Sequence, residues 1–151
     1  MTASIQSNFS EIDSQFMQRA LTLAKTAAEK NEVPIGAVLV LENKIIGEGF
    51  NAPISMVDPT AHAEMIALRN AANQHKNYRL IDSTLYVTLE PCLMCAGAMI
   101  QARVARVVFG ASDVRWQARQ QCGNHTVKYE GGLLAEESTV LLKEFFKKRR
   151  D

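Results

Sequence analysis

The fold is decided by residues 84–109, TLYVTLEPCLMCAGAMIQARVARVVF, in which two apolar segments flank a stretch of helical composition. Thr84 to Leu89 and Val104 to Phe109 are short and rich in β-branched residues, which is typical of buried strands. Pro91 to Ala102 between them predicts a helix, because proline is tolerated at the first helical position. A strand, a helix and a strand in this order predict an α/β sheet with helices on its faces, and right-handed crossovers fix most of its topology.

The segments on either side of this unit complete the predicted fold. Ile35 to Leu41 and Lys44 to Phe50 are two further β-branched segments, and Glu42 and Asn43 between them favour a turn, so we expect a β-hairpin. The remaining elements are expected to be helices at 11–30, 60–72 and 133–150 and a fifth strand at 126–130. The class is therefore α/β, with a central mixed sheet of about five strands flanked by helices.

The sequence indicates where the first helix begins and which face of the last helix is buried. Ser10 followed by Asp13 predicts an N-cap with an acidic first turn for the first helix. In the last helix, apolar residues that include Phe145 and Phe146 recur at helical spacing, and we expect them to face inward.

Length and composition are those of one folded domain. The 151 residues are 47% hydrophobic and 22% charged, and we expect a single domain over residues 1–151. The formal net charge of +1 means that nucleic-acid binding would need a local basic patch. The opening residues lack a signal-peptide core, and no apolar run reaches the roughly 18 residues of a membrane span. Together with three cysteines, which suit reduced thiols or metal ligands, this predicts a cytoplasmic protein that does not bind a membrane.

Cys92 and Cys95 lie at the start of the predicted central helix. With Pro91 as its first residue, the two thiols are one turn apart on the same face. They also lie where unpaired N–H groups and the positive end of the helix dipole favour thiolates. Such a pair forms half of a zinc site, although a Cys-x-x-Cys sequence alone is also typical of a redox pair or of two core residues.

His62 and Glu64 supply the other half of the pattern. Pro59 and Thr60 mark a helix start, so His62 is expected in a first turn, where a lone histidine is more often a cap or a core group. One histidine and two cysteines leave the fourth tetrahedral position of zinc open for water, and bound zinc lowers the pKa of that water to roughly 7. Glu64 beside the metal would then carry the proton. The combined pattern, His-x-Glu followed by Pro-Cys-x-x-Cys, is that of zinc deaminases.

Around these motifs the sequence closely resembles the bacterial tRNA-specific adenosine deaminases. The matching stretches are residues 32–38, 47–51, 58–64, 86–92, 95–100 and 106–110. They cover most of the chain. The resemblance implies a three-layer α/β/α cytidine-deaminase-like fold, a homodimer, and conversion of the wobble adenosine of a tRNA anticodon stem-loop to inosine.

The resemblance also implies the roles of individual residues. His62, Cys92 and Cys95 would bind one zinc ion, and Glu64 would protonate a ring nitrogen and then the departing ammonia. Asn51 matches an asparagine that hydrogen-bonds to the target base, although Asn-Ala-Pro is also typical of a turn. Three apolar residues at predicted strand ends either line the pocket or belong to the core: Val33, Ile35 and Leu89.

The sequence departs from the family pattern at residues 114–123, where the family carries a longer segment that contains lysine and glycine. This change concerns RNA specificity and dimer geometry rather than the zinc chemistry. Arg115, Trp116 and Arg119 either replace lost contacts by stacking and phosphate pairing or form an ordinary exposed turn.

Three alternatives stay open at this point. Cys122 would complete a closed Cys₃His site, which would be structural rather than catalytic. A free nucleobase or nucleoside, such as guanine or cytosine, would suit the same zinc mechanism. The basic run from Lys147 to Arg150 either binds RNA phosphates or complements the negative end of the last helix.

Overall fold

The computed structural model describes residues 9–115 and 127–150, which form a five-stranded sheet with helices on both faces. The strands are β1 Gly36–Leu41, β2 Lys44–Phe50, β3 Thr84–Leu89, β4 Arg106–Ala111 and β5 Lys128–Gly131. The helices are α1 Glu11–Glu29, α2 Pro53–Met56, α3 Ala63–His75, α4 Leu93–Ala102 and α5 Ala135–Arg150. Within this part of the chain, no helix is both long and apolar enough to cross a membrane.

The sheet is mixed, and its strands lie in the order β2-β1-β3-β4-β5. β1 is antiparallel to β2 and to β3, whereas β3, β4 and β5 are parallel. In the turn between β1 and β2, Glu42 and Asn43 both have left-handed φ angles, 52° and 62°, as a two-residue hairpin turn requires. The predicted hairpin and the predicted α/β class are confirmed.

Each face of the sheet has its own core, because successive side chains of a strand point to opposite faces. On one face α1 and α5 cover Val38, Val40, Tyr86 and Val108. On the other face α3 and α4 cover Ala37, Leu39, Leu85, Val87, Val107 and Phe109. This is the expected three-layer α/β/α arrangement. The strands are continuously apolar in sequence because both of their faces are covered.

Two glycines allow α3 to pack directly on the backbone of β2. A Cβ atom on Gly47 would lie 2.4 Å from the carbonyl oxygen of Ala67, and one on Gly49 would lie 2.4 Å from that of Ala63. Both distances are far below van der Waals contact, so only glycine permits this approach. Because Ala63 is the first residue of α3, Gly49 fixes the height at which this helix begins.

Two predicted helix starts were wrong, and one helix was not predicted. The backbones of His62 (φ −76°, ψ 155°) and Cys92 (φ −73°, ψ 173°) are extended, so both residues are N-caps rather than first-turn residues. The short helix Pro53–Met56 lies where the sequence suggested only a turn. Phe146, expected to face inward, is 44% exposed and lines a cavity.

Candidate metal and active site

Three of the predicted site residues lie together at the starts of two helices. His62 is the N-cap of α3, Cys92 is the N-cap of α4, and Cys95 lies in the first turn of α4. The Nδ1 atom of His62 is 3.5 Å from the Sγ atom of Cys92 and 3.6 Å from that of Cys95. All three ligand atoms lie within 4.8 Å of one another, in a group that can hold a metal ion.

The two helices place these side chains because each N-cap ends an extended segment. The carbonyl oxygen of His62 accepts from the N–H of Ile66, and that of Cys92 accepts from the N–H of Ala96, so each helix starts directly after its ligand. The positive ends of both helix dipoles therefore face the ligand cluster and favour thiolate over thiol. His62 and Cys92 are half-buried, and Cys95 is fully buried.

The geometry of this cluster suits zinc. Tetrahedral bonds of about 2.0 Å to nitrogen and about 2.3 Å to sulfur place two ligand atoms roughly 3.5 Å apart. The separations of 3.5 and 3.6 Å between the imidazole nitrogen and the two sulfurs agree with that value. One imidazole and two thiolates also leave a fourth position for water or substrate, as in catalytic zinc sites.

The two thiols differ in protonation, and only Cys92 is biased toward the thiolate. A hydrogen bond from Cys95 and another from His62 lower the pKa of Cys92 to about 4. The hydrogen bond with Cys92, together with burial, raises the pKa of Cys95. The hydrogen bond with Cys92 also raises the pKa of His62. At neutral pH one thiolate is therefore present before any metal binds, and a metal ion has to displace only the protons that remain.

Glu64 lies two residues after His62, in the first turn of α3, and is only 4% exposed. Burial raises the pKa of its carboxyl to about 7, against the opposing effect of the nearby His62. A carboxyl group with such a pKa can both take up and release a proton at neutral pH.

Asn51 is buried and is fixed by hydrogen bonds at both its backbone and its side chain. Its N–H donates to the carbonyl oxygen of Ile35 at 3.0 Å, and its Oδ1 atom accepts from the N–H of Ala63 at 3.2 Å. Because Oδ1 is engaged at the start of α3, the orientation of the amide is set. Asn51 thus contacts the start of α3, next to His62, and also belongs to the turn after β2.

A cavity of about 310 Å³ brings the predicted site residues together. Its lining includes four of the predicted site residues: Asn51, His62, Glu64 and Cys92. It also includes three apolar residues that the sequence assigned either to the pocket or to the core: Val33, Ile35 and Leu89. Arg115, for which the sequence left RNA contact and an exposed turn open, also lines it. Four lining residues were not predicted to be part of the site: Glu90, Asp113, Leu142 and Phe146. A larger groove of about 1210 Å³ follows the edge strand β2, but none of the predicted catalytic, metal or base-binding residues lines it.

The unpredicted polar residues join the ends of two parallel strands. Glu90 follows β3, and its Oε1 atom accepts from the N–H of Asp113, which follows β4, at 2.9 Å. Asp113 in turn pairs with Arg115 at 2.8 Å. The sequence offered one signal for Glu90 and Asp113, namely that each comes shortly after a predicted strand. Ligand sites in open α/β sheets lie at the carboxyl ends of strands. Trp116, Arg119 and Cys122 lie outside the described residues.

Residues 10–111 match the model of the cytidine and deoxycytidylate deaminase zinc-binding region. A tRNA-specific adenosine deaminase of Haemophilus influenzae is 52% identical, and the alignment covers 94% of this chain and 87% of that protein. The chain belongs to the tRNA-specific adenosine deaminases, within the cytidine and deoxycytidylate deaminase family. The resemblance noted in the sequence is thus confirmed.

Solved structures agree with this membership. A structure from work on A-to-I editing by tRNA:A34 deaminases at the wobble position of transfer RNA is 40% identical, with a TM-score of 0.80, and the alignment covers 85% of this deaminase and 99% of that chain. A guanine deaminase from Bacillus subtilis is 38% identical, with a TM-score of 0.64, over 74% of this deaminase and 70% of that chain. The family fold therefore carries both RNA-directed and free-base chemistry.

Proposed function

We propose that this protein is a zinc-dependent enzyme that converts adenosine to inosine, by hydrolytic deamination, at the wobble position of a tRNA anticodon. The observation that supports this most directly is the convergence of one imidazole and two thiols within 4.8 Å at the starts of α3 and α4, with the buried carboxyl of Glu64 beside them. Membership of the tRNA-specific adenosine deaminases supplies the substrate.

In this proposal His62, Cys92 and Cys95 would hold the zinc ion. A zinc ion with these ligands supplies a Lewis acid that brings the pKa of a bound water to about 7. Glu64 would take a proton from the attacking water and give it to a ring nitrogen of the base. It would then take the proton of the hydroxyl group newly bound to C6 and deliver it to the departing amine. The balance is adenosine plus water to inosine plus ammonia, and the carboxyl of Glu64 ends in its starting state.

The walls of the cavity would position the base for this reaction. The amide of Asn51 is held in one orientation by Ala63, so its remaining hydrogen-bonding capacity can be directed at the purine ring. Val33, Ile35 and Leu89 present apolar surface on which a flat base can pack. Burial of Glu64 and Cys95 keeps bulk water away from the proton-transfer route.

The test is inosine formation from a short anticodon stem-loop RNA that has a single adenosine at the wobble position. We expect inosine from the stem-loop, and no deamination of free adenosine, cytosine or guanine under the same conditions. Inosine is measured by nuclease digestion and chromatography. An RNA with adenosine moved one position along the loop is the matched control, because it changes placement without changing chemistry. Equal turnover of both RNAs would contradict the wobble assignment.

A free nucleobase is the second candidate substrate. The observation in its favour is the 38% identity to a guanine deaminase structure, which has a similar fold. Turnover of guanine with the stem-loop RNA unchanged would select this candidate and would leave the zinc mechanism intact.

We further propose that residues 1–151 form one deaminase domain that acts in the cytoplasm as a homodimer. A single domain is supported by α1 and α5, since helices from opposite ends of the chain pack on the same face of one sheet. A homodimer is supported by exposed apolar side chains near the site, in α2 and directly after Cys92. They are Ile54, Met56, Val57, Leu93 and Met94.

A further inference from the structure

Glu32 is a buried carboxylate that the proposed chemistry does not use. It lies just after α1, is 1% exposed, and does not line the 310 Å³ cavity. Its Oε2 atom accepts from the N–H and the hydroxyl of Ser55 at 2.6 and 2.7 Å, and its Oε1 atom lies 3.3 Å from the N–H of Ile54. An ionised carboxylate at such a depth is tolerated only when its oxygens are hydrogen-bonded in this way.

These hydrogen bonds cap the short helix α2 from outside. The N-cap of α2 is Ala52, whose side chain cannot accept a hydrogen bond, so the first N–H groups of the helix have no local partner. Glu32 provides that partner from a segment about twenty residues earlier in the chain. Burial raises the pKa of Glu32, but the hydrogen bonds from Ser55 and Ile54 outweigh this effect, so the pKa is lowered overall. The carboxylate therefore stays charged at neutral pH.

The capped helix connects two walls of the cavity. Glu32 directly precedes Val33 and is close to Ile35, which form one wall. α2 lies between Asn51 and His62, which form the other. The N–H of Asn51 donates to the carbonyl oxygen of Ile35 at 3.0 Å, so the two walls also meet through the backbone. A shift of α2 relative to Glu32 would therefore change the distance between the apolar wall and Asn51.

The C-terminal helix α5 also contacts the chain next to Glu32. Arg149 of α5 donates to the carbonyl oxygen of Asn31, and its charge contributes to lowering the pKa of Glu32. Leu142 and Phe146 of the same helix line the cavity. Glu32 thus holds α2 by hydrogen bonds, directly precedes the segment 33–35, and lies near enough to Arg149 of α5 to be influenced by its charge. Residues of that segment and of α5 line the cavity.

We propose that Glu32 is a positioning residue that sets the width of the base pocket by holding α2, and through it Asn51, against the segment 33–35. This inference rests on the proposed deaminase function, because it assigns the pocket to the substrate base. Glu32 touches neither the metal ligands nor the cavity. Its effect on the reaction is to place the base relative to Glu64.

The test compares Glu32→Gln with Glu29→Gln on the wobble stem-loop. Glutamine keeps the size of Glu32 but replaces one oxygen by an NH₂ group, which cannot accept from a backbone N–H. Glu29 is exposed, three residues earlier, and is the matched control. We expect Glu32→Gln to lower kcat roughly ten- to hundredfold, since small misplacements of a reacting group have effects of this size. We expect KM to change less than about threefold, because the RNA contacts outside the pocket are intact.

Zinc content and folding are measured on the same samples, at a temperature where circular dichroism shows both variants fully folded. One zinc per chain together with the lower kcat supports the proposal. A Glu32→Gln enzyme with the kcat of the control and only a lower Tm would overturn it, because Glu32 would then serve stability alone. The activity of wild type and of Glu29→Gln tests the deaminase function separately, so the two failures are distinguishable.

Ser55→Ala is the second variant. It tests whether Glu32 positions the base pocket if Glu32→Gln does not fold. Ser55 is exposed, so alanine removes only the hydroxyl that donates to Glu32. We expect the same direction of change, with kcat lowered roughly threefold and zinc unchanged. A kcat equal to that of wild type would overturn the proposal.

Discussion

At the residue scale, Glu64 and Asp13 show how opposite surroundings assign different tasks to two carboxyl groups in first helical turns. Glu64 is buried beside the ligand cluster, and burial raises its pKa to about 7. Asp13 is also buried, but hydrogen bonds from Arg106 and Tyr86 outweigh the effect of burial and lower its pKa to about 2. A carboxyl that titrates near neutral pH suits proton transfer, whereas one that stays ionised suits a structural role.

Replacing Glu64 by alanine should separate proton transfer from metal binding. The three proposed ligands remain, so we expect about one zinc per chain, measured by atomic emission spectrometry. Turnover of the stem-loop RNA should fall by roughly 10²- to 10⁴-fold, because the general acid and base is gone. Glu136→Ala, at an exposed first-turn position of α5, is the control and should keep full activity. Retained turnover in Glu64→Ala would refute the proton-transfer role.

Asp13 should make the protein sensitive to acid. The pKa of Asp13 is about 2 in the folded chain, below its ordinary 3.8, so its contribution to stability is complete above about pH 5 and is lost as the pH falls through 4 toward 2. The difference corresponds to about 2 kcal/mol of unfolding free energy. We expect Asp13→Asn to be destabilised by that amount at pH 7 in urea unfolding.

The difference between wild type and Asp13→Asn should shrink as the pH is lowered from 5 to 3. Asp82→Asn is the control, because Asp82 is exposed and asparagine tolerates its left-handed φ of 66°. A gap between wild type and Asp13→Asn that stays constant from pH 7 to pH 3 would show that the Asp13 charge does not contribute as stated.

At the scale of elements, the sequence predicted those whose signals are local. The β1–β2 hairpin and the β3–α4–β4 unit were predicted because apolar runs, turn residues and the Cys-x-x-Cys start lie within them. Helix α2 was not predicted, because its cap is Glu32, about twenty residues away in the chain. Local propensity at Asn-Ala-Pro indicates only a turn.

The candidate site follows the same rule, in that the sequence shows what is local. The proposed metal ligands and Glu64 belong to short motifs with fixed spacing, which a single sequence shows. Glu90 and Asp113 meet only because β3 and β4 are parallel neighbours, a relation that depends on tertiary structure. The starts of α3 and α4 were predicted too early, because the pattern does not reveal that His62 and Cys92 have extended backbones.

The close contact between β2 and α3 should connect sheet packing to the metal site. In Gly49→Ala the new Cβ would overlap the carbonyl oxygen of Ala63 and push the first turn of α3, with His62, away from the sheet. Overpacking of this kind costs about 1–3 kcal/mol, or a Tm lower by roughly 2–10 °C for a chain of this size. We also expect weaker zinc retention in a chelator competition assay, because His62 moves relative to the two cysteines.

Gly97→Ala is the matched control, since a Cβ at Gly97 in α4 meets no atom within 4 Å. Alanine in a helix should raise stability by about 0.5–1 kcal/mol relative to glycine. Equal Tm and equal zinc retention in the two variants would contradict the proposed connection between Gly49 and the start of α3.

At the scale of the whole molecule, exposed apolar side chains near the site occur in a chain of low net charge. Val57, at the end of α2, is 88% exposed, and Ile54 in the same helix is 67% exposed. The formal net charge is only +1, so like-charge repulsion does little to oppose the association of two copies. In a two-fold dimer every residue of the interface occurs twice, so one substitution changes two contacts.

Val57→Lys should therefore separate the proposed homodimer into monomers. Val57 has a left-handed φ of 50°, which is unfavourable for a β-branched side chain, so lysine should not weaken the fold. Burying two ammonium groups in an apolar contact would be costly. In sedimentation equilibrium we expect wild type at twice the chain mass of 16.7 kDa and the variant near that mass. Ile12→Lys, at a 45% exposed position of α1 away from the site, should remain dimeric. A wild-type protein that sediments at 16.7 kDa would contradict the homodimer, and a dimeric Val57→Lys protein would place its interface on another face.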